Sequence, residues 1–134
     1  MSGGAGNDHI EGGSGADVMA GGDGADTFVF RRVGDSATKQ PGGPDVILDF
    51  SRKSGDKIDL HSIDGNQSSN HPGTDAFKFI GSKSFSGKAG EIRYAFVDGD
   101  THLYAKASAG SKSSYGFEIV LEGHIKLLST DFII

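Results

Sequence analysis

Three consecutive nine-residue units open the chain and hold phase with one another. Gly3-Gly4-Ala5-Gly6-Asn7-Asp8-His9-Ile10-Glu11 is followed by Gly12-Gly13-Ser14-Gly15-Ala16-Asp17-Val18-Met19-Ala20 and by Gly21-Gly22-Asp23-Gly24-Ala25-Asp26-Thr27-Phe28-Val29. Each unit has Gly at places one, two and four, Asp at place six and an apolar residue at place eight. A flexible Gly-rich linker keeps no such register. A unit this short cannot bury a face by itself, so it has to stack on its own copies and form a solenoid. The last three residues of each unit make a very short strand. Alternation along a strand turns only the middle one inward: Ile10, Met19 or Phe28. One apolar side chain per strand is a thin core, and something other than apolar burial must help to hold the turns.

The glycines and aspartates indicate what that is. A turn that wraps a cation with backbone carbonyls needs φ values or close approaches that a Cβ forbids, which accounts for Gly3, Gly4, Gly6, Gly12, Gly13, Gly15, Gly21, Gly22 and Gly24. A hard ion such as Ca²⁺ takes six to eight oxygens, and a carboxylate at a fixed place in each turn supplies ligand and countercharge together. Asp8, Asp17 and Asp26 fill that place. Glycine, at 22 of 134 residues, is about twice as frequent as usual, while proline, at 3, rules out collagen and proline-rich spacers. The net charge of −5 gives no electrostatic footprint for nucleic acid or an anionic membrane surface. With no cysteine there is no disulfide framework. No apolar run approaches the length of a membrane span, and the N-terminus carries Gly and Asp where a secretory signal places a basic and then an apolar stretch.

The repeats resemble those of the RTX (repeats-in-toxin) proteins. In an RTX β-roll two nonapeptides make one full coil. The resemblance therefore implies that copies one and three share an ion, with Asp8 and Asp26 as co-ligands, and that Asp17 faces the opposite edge and takes a partner from elsewhere in the chain.

After Phe30 the composition changes. Gly34 to Pro44 reads as a polar loop at which the roll stops, so residues 3–30 form the β-roll and residues 31–134 a β cap within one compact unit. Strand character follows at Val46 to Phe50, Lys57 to Leu60, Ala76 to Ile80, Glu91 to Val97, Thr101 to Ala107, Tyr115 to Leu121 and Phe132 to Ile134. Asp98-Gly99 between two of these is a hairpin signal, with Ile92, Tyr94 and Phe96 on one face. Ser62 to Thr74 reads as a long surface loop. The fold expected is all-β: a short parallel roll capped by a twisted antiparallel sheet or sandwich that buries most of the 9 phenylalanines.

Ala25-Asp26-Thr27-Phe28-Val29-Phe30, Asp45-Val46-Ile47-Leu48-Asp49-Phe50 and Gly55-Asp56-Lys57-Ile58-Asp59-Leu60 resemble the block that follows the repeats in serralysin-type secreted metalloproteases. Phe85 to Tyr94 and Thr130-Asp131-Phe132-Ile133-Ile134 also resemble that family's C-terminal domain. By motif position the resemblance implies Asp49 and Asp56 as ligands of the last calcium site, with Asp45 and Asp59 as secondary candidates. It also implies a calcium-binding domain of an extracellular protein, with a type I secretion exporter as partner and an upstream catalytic domain in the same chain. Such a domain folds on extracellular calcium and carries its export signal in Asp131 to Ile134. Only three repeats are spelled out, fewer than the family usually carries, so the outermost ion sites are expected to be half-formed.

Enzymatic chemistry is not expected of this segment. The 5 histidines, His9, His61, His71, His102 and His124, include no H-E-x-x-H pair, and there is no G-x-S-x-G elbow. The alternative from another class is a polysaccharide-binding module of the kind found on RTX alginate epimerases. That reading needs Arg31, Arg32, Arg52, Lys53 and Lys112 to converge, although they are scattered along the sequence.

Overall fold

A computed structural model describes residues 1–37, 40–65, 76–107 and 116–134. The predicted loop at 62–74 falls mostly outside those residues, as do His71 and Lys112. Apart from two short 3-10 turns, at Val33–Ser36 and Ser129–Asp131, the described chain is all-β.

The strands are β1 (Ser2–Ala5), β2 (His9–Ile10), β3 (Val18–Asp23), β4 (Thr27–Val29), β5 (Asp45–Ile47), β6 (Lys57–Asp59), β7 (Lys78–Phe79), β8 (Glu91–Val97), β9 (Asp100–Lys106), β10 (Phe117–Leu121) and β11 (Phe132–Ile133). They form a seven-stranded sheet in the order β1-β3-β5-β10-β9-β8-β7 and a four-stranded sheet in the order β11-β6-β4-β2. Successive strands of the roll alternate between the two sheets. Within the repeats the parallel register advances by one coil of two nonapeptides: Ser2 lies beside Ala20 and His9 beside Thr27, the same step in both sheets.

The coil does not end where the repeat spelling ends. β5 pairs in parallel with β3 and β6 with β4, setting Val18 beside Val46 and Thr27 beside Lys57, steps longer than the one inside the repeats. A further turn of the roll is thus wound from sequence that has lost the glycine code. The polar segment after Phe30 is an excursion within that turn, tied down by Ser36, whose Oγ accepts the Asp45 N–H and donates to the Glu118 carbonyl. The C-terminal strand β11 closes the smaller sheet by pairing in parallel with β6.

Place eight of each unit faces the core, as alternation requires. Ile10, Phe28, Ile58 and Phe132 lie side by side across one sheet, and Met19, Ile47 and Leu121 across the other; all are buried. The antiparallel part is continuous with the roll: β10 pairs in parallel with β5 on one side and antiparallel with β9 on the other. Phe30 meets the edge of Phe117 at 5.5 Å between ring centroids, joining the two parts of a single core. At the far end Val97 pairs with Asp100 around Asp98 (φ 52°) and Gly99 (φ 89°). Positive φ at both central residues is the type I′ hairpin whose twist matches its strands.

Candidate metal centre

The place-six aspartates stand in two columns along the two edges of the roll. In each column a backbone N–H donates to a carboxylate of the following coil. Asp8 N–H reaches Oδ1 of Asp26 at 2.9 Å, and Asp26 N–H reaches Oδ1 of Asp56 at 3.0 Å. On the opposite edge Asp17 N–H reaches Oδ1 of Asp45 at 2.9 Å. Asp8 and Asp26 are therefore neighbours, as expected, and Asp17 has its partner in Asp45. The serralysin motif ranks Asp45 second to Asp49 and Asp56; its position beside Asp17 follows from the parallel pairing of β3 with β5.

The second oxygens define the candidate sites. Oδ2 of Asp8, Asp17, Asp26 and Asp45 is buried and takes no hydrogen bond from the protein. A buried carboxylate oxygen without a partner is costly, by roughly 1–3 kcal/mol or more for a charged group. In the repeats each of these oxygens lies over the place-one glycine of its own unit. A Cβ on Gly3 would stand 2.6 Å from Oδ2 of Asp8, one on Gly12 would stand 2.8 Å from Oδ2 of Asp17, and one on Gly21 would collide with Oδ2 of Asp26. Place one is glycine because the carboxylate lies against its Cα. Places two and four are glycine for a different reason, seen best in the third unit: Gly22 and Gly24 have φ of 93° and 129°, and a Cβ on either would strike the carbonyl of Gly4 or Gly6 in the coil below.

This donor set fits a hard cation. Among the described residues no three His, Cys, Asp or Glu side chains converge as a metal site, so an ion would have to take backbone carbonyls alongside one or two carboxylates. Glycine-rich turns supply those carbonyls, and calcium accepts such a mixed, flexible oxygen shell.

Asp49 and Asp56 differ from the repeat aspartates. Both oxygens of Asp49 are engaged, Oδ1 by Gly21 N–H at 2.8 Å and Oδ2 by Gly22 N–H at 2.9 Å. Asp56 accepts Asp26 N–H on Oδ1 and Ser51 N–H on Oδ2. The structure therefore places Asp49 as a clamp on the turn of the third unit and Asp56 as the C-terminal end of the Asp8–Asp26 column. Asp59 belongs to neither column; its Oδ1 lies 2.5 Å from Nδ1 of His61.

Crowded carboxylates disturb one another's ionisation. Burial, with the charges of Asp17 and Asp35 nearby, pushes Asp45 up to about 7 against the hydrogen bond from Asp17 N–H. Asp56 is also raised, by burial first and then by Asp26 and Asp49, in opposition to the N–H bonds from Asp26 and Ser51. Asp35 lies outside every motif in the sequence, yet it is buried with Oδ1 taking no hydrogen bond, while Oδ2 accepts the N–H groups of Arg31 and Arg32. Its only sequence signal is the Asp-Ser pair ahead of the first proline.

Two further described histidines have partners other than these aspartates. His102 Nδ1 is 2.7 Å from Oε1 of Glu118, and His124 packs on the Phe96 ring.

The sequence pattern described as Peptidase M10 serralysin C terminal matches residues 3–134. The chain belongs to that family of serralysin C-terminal domains. Among solved structures it is similar to the AlgE6R3 subunit of the mannuronan C5-epimerase from Azotobacter vinelandii, with 31% identity, a TM-score of 0.59, and coverage of 98% of this chain and 65% of that one. It also matches the AlgE6R2 subunit of the same enzyme at 26% identity and a TM-score of 0.44, over 99% of this chain and 80% of the other. The chain thus spans just under two thirds of the AlgE6R3 subunit. No curated protein gave a match.

Proposed function

We propose that this domain binds calcium along both edges of its roll, folds when extracellular calcium reaches it, and serves as the C-terminal, non-catalytic part of a protein exported by a type I system. The observation that carries the calcium reading is the pair of columns of buried carboxylate oxygens, four of which have no protein donor. A cation between coils supplies the missing partner and offsets the charge repulsion; without it the glycine-rich turns have too little apolar burial to overcome their ordering entropy. Circular dichroism in chelator and then in calcium is the test: disorder should convert to β signal on calcium addition. An unchanged spectrum refutes the reading. Magnesium should substitute poorly, because it requires rigid octahedral geometry and sheds water reluctantly.

The export part of the proposal rests on family membership and on the acid-plus-apolar ending Asp131 to Ile134. Its test has to spare Asp131 and Phe132, which are 4% and 8% exposed and belong to the folded domain. Ile133 and Ile134 are 40% and 38% exposed. Changing both to Ser should stop secretion from a host with a cognate exporter while leaving calcium-induced folding intact. Secretion that persists removes the signal from these two residues.

The likeness to an epimerase subunit favours, as a second reading, a module that grips a polyanionic polysaccharide. The basic residues argue against it. Arg31 pairs with Glu11, Arg32 with Asp35 and Arg52 with Asp131, so their charges are compensated locally. Binding to mannuronan in calcium, weakened by salt, would reverse the ranking.

A further inference from the structure

Residues 51–56 connect two features separated widely in the sequence. The segment is a tight turn: Asp56 N–H donates to the Ser51 carbonyl at 3.1 Å, Gly55 N–H to the Arg52 carbonyl at 3.2 Å, and Ser51 N–H to Oδ2 of Asp56 at 2.8 Å. One end of the turn, through Asp56, completes the Asp8–Asp26 column. The other end, through Arg52, reaches the end of the chain: Arg52 Nε donates to Oδ2 of Asp131 at 2.7 Å, and the same oxygen accepts Leu128 N–H at 2.7 Å. Immediately after the turn Lys57 Nζ donates to the Thr130 carbonyl. Two cationic side chains, beside an acid of the ion column, thus hold the short 3-10 turn that leads into β11.

We propose that this turn is an ion-operated strap that docks the C-terminal strand only when a cation occupies the Asp26–Asp56 end of the column. The inference rests on the calcium reading above. Without the cation, Asp26, Asp49 and Asp56 crowd like charges around one small loop, and the loop relaxes away from the roll. With the cation, Asp26 and Asp56 are drawn together and residues 51–56 take one conformation. Arg52 and Lys57 are then positioned for Asp131 and Thr130, the Phe132 ring enters the core against Phe79 at 4.9 Å, and the Ile133 carbonyl receives Leu60 N–H at 2.9 Å. Arg52 is a positioning residue: it contacts no ion and acts through the tail. Functionally, the strap leaves Phe132 and the β11 backbone free in the ion-free chain and engaged in the ion-loaded one, where the side chains of Ile133 and Ile134 stay exposed.

The experiment is amide hydrogen exchange on the whole chain, with and without calcium, for the natural protein and for Arg52→Gln and Arg52→Gln/Lys57→Gln. The roll amides of Asp8, Thr27 and Lys57 report ion binding, while those of Leu128, Asp131 and Leu60 report tail docking. In the natural protein, calcium should protect both sets. In Arg52→Gln, calcium should still protect the roll while the tail exchanges roughly tenfold faster, the scale of one charged hydrogen bond, and the double variant should go further. Arg52→Lys, which keeps the charge, should recover part of the tail protection. Tail amides equally protected in chelator overturn the strap, as does an Arg52→Gln tail indistinguishable from the natural one in calcium. If calcium changes neither set, the calcium reading falls and the strap with it; protection of the roll without the tail overturns the strap alone.

Discussion

The roll and the antiparallel hairpin share one core, but they are held in different ways. In β8, β9 and β10 the buried side chains Ile92, Tyr94, Leu103, Phe117, Ile119 and Leu121 supply the stability, and β8 and β9 pair with each other directly across a type I′ turn. The first three units place one residue each in the shared core, Ile10, Met19 and Phe28, β1 is exposed along its whole length, and adjacent coils meet through carboxylates and glycine backbone. The first region rests on apolar burial. The roll leaves four buried carboxylate oxygens without a protein donor, and on the proposed calcium reading its counter-charge comes from solution. On that reading the chain combines a region whose stability is intrinsic with one whose stability is set by its surroundings.

Removing calcium should separate the two regions most sharply. Amides of residues 3–30 are expected to lose protection by orders of magnitude, while those of β8 and β9 keep most of theirs; equal loss in both regions would show that the hairpin depends on the roll. Next in size is Phe117→Ala, which should cost about 3–5 kcal/mol of stability, as truncations of buried aromatics do. It lies beside Phe30 at the junction, so a calcium midpoint that stays put in this variant would mean the two regions are less coupled than the shared core implies.

Gly22→Ala is a purely roll-side change. Left-handed backbone and contact with the Gly4 carbonyl should together cost about 1–3 kcal/mol, seen as a higher calcium midpoint with the hairpin unaffected. The remaining effect is that of pH. Because the Asp45 carboxyl is raised to about 7 in the folded, metal-free state, its protonated form favours folding. That contribution is complete below the ordinary aspartate value near 3.8 and is lost as pH rises through about 7. Calcium needs the ionised form, so calcium affinity should increase between pH 5.5 and pH 8, with proton release on binding measurable by titration in buffers of different ionisation heat. Asp45→Asn should flatten this dependence and weaken affinity by about tenfold or more.

Sequence-level reading succeeds in this molecule where information is local. The phase of the repeats locates the inward residues Ile10, Met19 and Phe28, the RTX resemblance sets Asp8 with Asp26 and Asp17 on the opposite edge, and Asp98-Gly99 locates the hairpin. It fails where pairing is distant. The final coil takes a longer step than the repeats do, because it is wound around the excursion after Phe30, and the step differs between the two sheets. No period in the sequence therefore announces that Asp45 will stand over Asp17. The docking of Phe132 beside Ile58 crosses more than half the chain and depends on an edge that exists only once the roll is built. Asp49 shows a related limit: its motif points to the ion, while the folded chain directs both its oxygens to backbone N–H groups that become neighbours only in the coil.

The carboxylate-to-amide contacts between coils all have the same polarity. Asp26 fastens the amide of Asp8, Asp45 that of Asp17 and Asp56 that of Asp26, so each fastener is carried by sequence that comes later than what it fastens. Loss of a coil from the C-terminal side would therefore strand the amide of the coil before it, whereas loss of the first unit would leave the Asp17 and Asp26 amides held, so the columns should tolerate shortening from their N-terminal end better than from their C-terminal end.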